Sequence, residues 1–394
     1  MTSHVRARRV LFVNSGILGH RAVAGLLKDA TARIPSIDAT HIDLGDGLTT
    51  GDRIVRYLLS VRLMPATGPF GNLDLRRWRQ EMNVGLLAAR RVAAAERHGA
   101  FELLHFHTQA TAYASLARMK RTPAIVSLDA TQRLASLQAV SRVGRWTYTP
   151  NIVHDGYVFR AARAIVVTSR WAGDDLAALY PDCAHKLHVM PYPVKLSGCE
   201  PAWIEERAAR TIATPLPPVR VLFVGGDFPR KGGADLLAAW TAGGFADRAT
   251  LDVVTDWPLA ADRLPPGVRV VKGVAPYTRD WFEMWRRADL FVMPTRHEAF
   301  GMVYQEAAAA GLPSIATNIN AIPEIVQDGR TGMLVQPGDA GGLRRAIGRL
   351  VDSPELRREM GTAARSWAER FAAPEAYAAR LGAIIGDVIT GQRS

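Results

Sequence analysis

The chain has 394 residues, 48% of them hydrophobic, with 49 Lys and Arg against 37 Asp and Glu for a net charge of +12. That length points to two domains, and the apolar content is enough for ordinary buried cores and excludes a disordered chain. Its two cysteines, Cys183 and Cys199, fit neither a disulfide framework nor a metal knuckle.

No apolar run approaches the roughly 20 residues that span a bilayer. The N-terminal "MTSHVRARRVLFVNSG" runs directly into a strand-like stretch, with no separate apolar segment or small-residue cleavage site, so a cytoplasmic protein is expected. The excess positive charge favours anionic partners such as nucleotides, phosphates or an acidic membrane face. Nucleic acid is not expected, because no basic segment is interleaved with stacking aromatics.

In chain order, the first short apolar runs are "RVLFVNS", "THIDLG", "ELLHFH", "AIVSLD", "AIVVTS" and "LHVMPYP". A second series follows as "VRVLFVGG", "TLDVVTD", "VRVVKGV", "LFVMPT", "PSIAT" and "GMLVQP". Continuous runs of this kind read as strands buried on both faces, and the amphipathic stretches between them make the strands parallel. Each series is therefore expected to form a doubly wound, Rossmann-like α/β sheet. The segment "KLSGCEPAWIEERAARTIATPLPP" separates them, with the linker placed at residues 197–216. The expected domains are 1–205, 217–372 and a C-terminal helix over 373–394. Two such domains facing a central cleft would bind ligand at the carboxyl ends of their strands.

Within the first series, "NSGILGHRAVAGLL" puts Gly16 and Gly19 on the first strand-to-helix turn. "ELLHFHTQAT" puts His105 and His107 at alternate strand positions, on one face of the sheet. The long stretch from Arg56 to Ala94 mixes Arg with Trp78, Phe70 and Leu. A basic amphipathic surface suits contact with a membrane; a solvated helix packed by one apolar face is the competing account.

In the second series, the turn "GGDFPRKGG" carries Gly225 and Gly226, which allow close backbone approach to a ligand, followed by Arg230 and Lys231. Two cations at a helix N-terminus oppose the helix dipole by ~0.3–1 kcal/mol each, so an anionic ligand explains them better than stability does. Farther on, "RHEAFGMVYQEAAAAG" places Glu298 just before a helix, Glu306 more than a turn inside it, and Gly311 at its stop. Carboxylates so separated cannot share one proton. They suit separate ligand hydroxyls, each hydrogen bond contributing roughly 1.5–3 kcal/mol.

This last segment resembles the E-x7-E signature of retaining glycosyltransferases of family 4, the group 1 glycosyltransferases, which have the two-domain GT-B fold. The resemblance extends through "LPSIATNINAIPEIVQDGRTGMLVQPGD" and the "GGDFPRKGG" turn. It implies transfer of a hexose-type sugar from a UDP- or GDP-linked donor to a hydroxyl acceptor: a polysaccharide, a glycolipid or a small molecule. It also implies that Glu306 holds the ribose hydroxyls, that Glu298 contacts the transferred sugar, and that Arg230 and Lys231 grip the diphosphate. Backbone N–H groups of Phe300, Gly301, Met302 and Val303 would face the same donor, and Gly16 and Gly19 would near its diphosphate. His107 matches a cleft histidine of the family. Asp129 stands where many relatives have His, and Asn320 and Ala321 stand where a Gly pair is usual.

No cofactor and no metal are expected, since no His, Asp and Glu cluster has ligand spacing. Rival readings are a sugar synthase or phosphorylase on the same fold, or a catalytically silent subunit that binds a nucleotide sugar. A Rossmann dehydrogenase is disfavoured, because no GxGxxG with a downstream acid follows either opening strand.

Overall fold

The computed structural model describes residues 7–16, 19–63, 73, 75–139, 141–211 and 217–391. Phe70 lies outside the described residues. Two compact units emerge: residues 1–192 together with 375–394, and residues 193–374.

The first unit contains strands β1 (Arg8–Asn14), β2 (Ile37–Asp43), β3 (Leu103–His107), β4 (Ala124–Leu128), β5 (Ala164–Val167) and β6 (Leu187–Val189). They form one sheet in the order β2-β1-β3-β4-β5-β6, and every pairing is parallel. Leu11, Val13, Leu104, Phe106, Val126, Leu128, Ile165 and Val167 pack on one face. That face is covered by Leu87, Ala88 and Val92 of the helix Arg76–Glu96 and by Val158 and Phe159 of the helix Thr149–Ala161. The alternate residues Val10, Phe12, Leu103 and Ile125 are equally buried on the other face. Burial of both faces is why these strands read as unbroken apolar runs.

The second unit repeats the plan with β7 (Val219–Val224), β8 (Ala249–Val254), β9 (Val268–Val271), β10 (Leu290–Met293), β11 (Ser314–Thr317) and β12 (Gly332–Val335). Its order is β12-β11-β10-β7-β8-β9, again all parallel. An aromatic chain fills the core on one side. Trp281 meets Trp285 at 5.8 Å, Trp285 meets Phe291 at 5.3 Å, and Phe291 meets Tyr304 edge-on at 5.7 Å. Fully burying such side chains stabilises by roughly 1.5–3 kcal/mol each.

The segment expected as linker is largely built into the second unit. Arg207, on the helix Ala202–Thr211, is buried and donates from Nε to the carbonyl of Ala288 at 2.7 Å and from Nη2 to Trp285 at 3.2 Å. A guanidinium with these backbone partners anchors its helix, so the division falls after Tyr192, ahead of the expected segment. The chain returns to the first unit at Glu375, whose carboxylate accepts from Arg33 Nε at 3.3 Å, and Gly382 of the helix Pro374–Thr390 lies against Ile34.

Candidate functional site

In the second unit the order of strands reverses between β7 and β10, which pair through Leu290 with Val221 and Phe291 with Leu222. Ligands of open α/β sheets bind at this kind of switch point, beyond the carboxyl ends of the strands. Loops from four strands supply the side chains there: 225–232 after β7, 272–278 after β9, 294–301 after β10 and 318–321 after β11.

The β7 turn is tied down from two sides. Gly232 has φ +76°, and a Cβ on it would lie 1.9 Å from the carbonyl oxygen of Pro294, so only glycine lets the two loops touch. Arg296 N donates to the carbonyl of Arg230 at 2.9 Å, and Arg230 Nη1 donates to the carbonyl of His297 at 2.7 Å. Arg230 also pairs with Asp227 at 3.0 Å, and Lys231 pairs with Glu298. Both cations therefore have a carboxylate partner, which offsets the repulsion by the helix Gly233–Gly243 expected of them. Gly225 leaves room for Lys231, whose Cγ would be 3.0 Å from a Cβ there, and Gly226 faces open space.

The β10 loop leads into the helix Met302–Ala309. Its N-cap is Gly301, with φ +91°, and Tyr304 pins the first turn by donating its hydroxyl to the carbonyl of Met293 at 2.6 Å. Phe300 is buried, while Met302 and Val303 are half-buried. The first N–H groups of a helix have no intrahelical partner, which makes this terminus a natural anion or hydroxyl contact. The helix ends at Ala309 and Gly311 follows with φ +69°, as the sequence predicts.

Glu298 and Glu306 do not touch through a shared proton; Lys231 serves both. It pairs with Glu298, and its charge draws the Glu306 carboxyl down, against the burial that pushes Glu306 up to about 7. Between those two causes in size stands a hydrogen bond from the Tyr277 hydroxyl to Glu306 Oε1, at 3.0 Å. Tyr277 is absent from the sequence expectations. A signal was present in "GVAPYTRD", where an aromatic sits just before the N-cap Thr278. Asn320, flagged as a departure, takes φ +51° and donates Nδ2 to the carbonyl of Glu298 at 2.7 Å, while Ala321 is fully buried. The left-handed position suits Asn among residues with a side chain, and that side chain braces the Glu298 loop.

The first unit carries the remaining expected residues at its own switch point, between β1 and β3, where Asn14 is level with His107. Gly16 has φ +67°, and a Cβ there would lie 2.3 Å from Gly45 N, so close packing of two loops already requires it. Gly19 opens the helix Gly19–Thr31. His107 is buried, shares a 3.0 Å hydrogen bond with Ser127 Oγ, and lies edge-on to Tyr192 at 5.7 Å. Asp129 directly follows β4 and is half-buried. Burial and then the Asp129 charge hold the Tyr192 phenol well above its usual range, so Asp129, Tyr192 and His107 form one neighbourhood. His105 lies deeper, beside Phe12 at 4.9 Å.

Comparison with known proteins adds to this geometry. Residues 218–353 match the family described as Glycosyl transferases group 1. The D-inositol 3-phosphate glycosyltransferase of Streptomyces scabiei is 27% identical over 299 residues, spanning 71% of this chain and 66% of that protein. Sucrose-phosphate synthase from Thermosynechococcus elongatus superposes with a TM-score of 0.72 at 18% identity, covering 98% of this chain and 100% of that one. The Anabaena protein HepE, solved with UDP and glucose, gives a TM-score of 0.65 at 17% identity, covering 96% and 99%. At those identities the structural likenesses concern the fold, which is GT-B: two Rossmann-like domains, each on a six-stranded parallel sheet. The E-x7-E carboxylates and their Lys lie within residues 218–353, the part of the chain that is similar to the group 1 glycosyltransferases.

Proposed function

We propose that the protein transfers a hexose from a nucleoside diphosphate sugar to a hydroxyl acceptor, with retention of anomeric configuration and without a metal. The observation that carries this reading is Lys231 set between Glu298 and Glu306 at the β7/β10 switch point. On it, Glu306 accepts the ribose hydroxyls, and Glu298 and the N–H groups at Phe300, Gly301, Met302 and Val303 hold the sugar. Arg230 and Lys231 take the diphosphate, beside Gly225 and Gly226. As the sugar C1–oxygen bond to phosphate breaks, negative charge grows on the leaving oxygens. Preorganised cations there stabilise the transition state more than the ground state. The acceptor oxygen bonds to C1 from the same face, and its proton passes to the departing phosphate oxygen. Asp129 and His107 in the first unit are the groups assigned to the acceptor hydroxyl.

UDP is the favoured nucleotide, because HepE is a structural neighbour solved with UDP and glucose. A polyol phosphate is one acceptor class consistent with the name of the Streptomyces relative. Release of UDP or GDP from candidate donors tests the reading. Glu298→Ala and Lys231→Ala are each expected to lower turnover by about 100-fold or more, the scale of losing one preorganised charge contact. Activity is expected to survive EDTA. Mutants equal to wild type with every active donor overturn the site, and loss of activity in EDTA overturns metal independence.

A membrane-facing acceptor is the further part of the proposal. Among the described residues, no helix is long and apolar enough to cross a membrane. Yet the helix Thr50–Ser60 exposes Ile54, Val55, Tyr57 and Leu58 alongside Arg53 and Arg56. Apolar and cationic groups on one exposed helix fit the interface of an anionic bilayer at its cytoplasmic face, reached peripherally.

A further inference from the structure

We propose that Tyr277 is a positioning residue of the nucleotide subsite, its hydroxyl fixing the Glu306 carboxylate that accepts the ribose. The proposal rests on the reading of Glu306 given above. Tyr277 takes φ +62°, a left-handed conformation rare for a bulky side chain, and such conformations persist only where the surroundings impose them. The surroundings here are specific. Its ring lies 6.2 Å from that of Trp281 and 6.4 Å from that of Phe282, and the Lys195 ammonium stands 5.1 Å from its centroid. Thr278 closes the turn by donating Oγ1 to the carbonyl of Ala275 at 2.8 Å and by capping the next helix. From the other side, Gly198 approaches Phe282 so closely that a Cβ would meet its ring at 2.2 Å. The result is a half-buried phenol, held by its ring contacts, with its oxygen 3.0 Å from Glu306 Oε1.

Packing alone would be served by any aromatic here; the aimed hydroxyl is the part packing does not explain. It leaves one oxygen of Glu306 bonded to protein and orients the other. The titratable groups that face Glu306 are Lys231 from the β7 turn, itself paired with Glu298, and the Cys199 thiol, which burial pushes up to about 12 with Glu306 contributing, so that it stays neutral. Burial raises Glu306, and the Tyr277 hydrogen bond is the larger of the two influences that oppose it. Without the hydroxyl, Glu306 keeps its proton to higher pH, and a protonated carboxyl is a poorer acceptor for two ribose hydroxyls.

The test is calorimetric binding of UDP-glucose, whose diphosphate diester does not titrate in the range used, from about pH 6 to about pH 9. Wild-type binding is expected to tighten as Glu306 loses its proton near 7. Tyr277→Phe is expected to bind roughly 10-fold more weakly near neutral pH and to approach wild type at the alkaline end. Incorporation of 3-fluorotyrosine at position 277, a stronger donor that keeps the ring, is expected to move the profile to lower pH. A Tyr277→Phe profile that superimposes on wild type overturns the proposal, and so does equal weakening at every pH, which marks a packing residue. Glu306→Gln separates the two levels. If it binds as wild type does at all pH values, the ribose reading fails; if it weakens binding while Tyr277→Phe leaves the profile in place, only the positioning role fails.

Discussion

Burial drives the Glu306 carboxyl up to about 7, although Tyr277 and Lys231 both favour its charged form. A folded-state pKa above the ordinary value of 4.5 means that the folded protein holds this proton more tightly than the unfolded chain does. Its contribution to stability is therefore complete below about 4.5 and is lost as pH rises through about 7. At 1.36 kcal/mol per pK unit the loss between about 4.5 and about 7 is on the order of 3 kcal/mol. Glu306→Gln should abolish that loss, melting higher than wild type at pH 8 and close to it at pH 5, while binding a nucleotide sugar less well. Thermal melts at the two pH values decide it: a variant that melts lower at pH 8 shows that the carboxylate is not strained by burial. The same residue shows what the sequence discloses at this scale. Glu298 and Glu306 stand out because neither suits an apolar helix face. Tyr277 does not, because its role depends on a loop after β9 reaching a helix after β10, and β7 and β8 lie between those strands in the sheet.

At the scale of elements, the helix Thr50–Ser60 is well made yet poorly covered. Thr49 and Asp52 form a reciprocal capping box, and Arg90 ties Asp52 to the neighbouring helix at 2.7 Å, so the helix is anchored at its start. From Arg53 to Leu58 every residue is exposed. Each apolar side chain moved from water into a bilayer gains up to about 1.5–3 kcal/mol, and each Arg near an anionic surface about 1 kcal/mol. The double substitution Ile54→Glu with Leu58→Glu should then abolish sedimentation with phosphatidylglycerol vesicles, and its melting temperature should match wild type. Unchanged sedimentation removes this helix from any membrane contact. Elements differ in how legible they are. The central strands can be read from the sequence because parallel sheets bury both their faces, which leaves unbroken apolar runs at Val10–Val13 and Leu290–Met293, whereas the edge strands β2, β6 and β9 are only partly buried and carry polar residues. The helix Ala202–Thr211 was harder to assign, since its Pro-rich surroundings look like a linker. Its allegiance is set by long-range contacts that include the buried Arg207, whose carbonyl partners lie more than 70 residues away in sequence, and Arg210, which pairs with Asp289.

For the molecule as a whole, the two units should respond to pH in opposite senses. In the first unit Phe12 lies between His41, at 4.8 Å, and His105, at 4.9 Å, on three adjacent strands. Desolvation lowers His105 to about 3, and desolvation with the nearby Lys28 charge lowers His41 to about 4, both from 6.5. A base whose folded pKa is depressed contributes stability that is present above its unfolded pKa. That stability is lost as pH falls from 6.5 toward the folded values. At pH 5.5 the loss is roughly 1 kcal/mol for each imidazole, with His41 at the lower end because it is only half-buried. The second unit contains Glu306 and loses stability in the other direction. Hydrogen exchange resolved by peptide, corrected for the intrinsic rate, separates the two. Between pH 8 and pH 5.5, β1, β2 and β3 should lose protection, while β7, β10 and the helix Met302–Ala309 gain it. Added UDP-glucose at 100 times its Kd should raise protection around residues 219–317 by up to about 2.7 kcal/mol at either pH. His105→Leu should roughly halve the acid limb of the first unit, leaving the share of His41, and should not alter the second unit. Units that drift in the same direction with pH, or an acid limb of undiminished depth in the Leu variant, would show that the imidazoles and the Glu306 carboxylate do not govern stability.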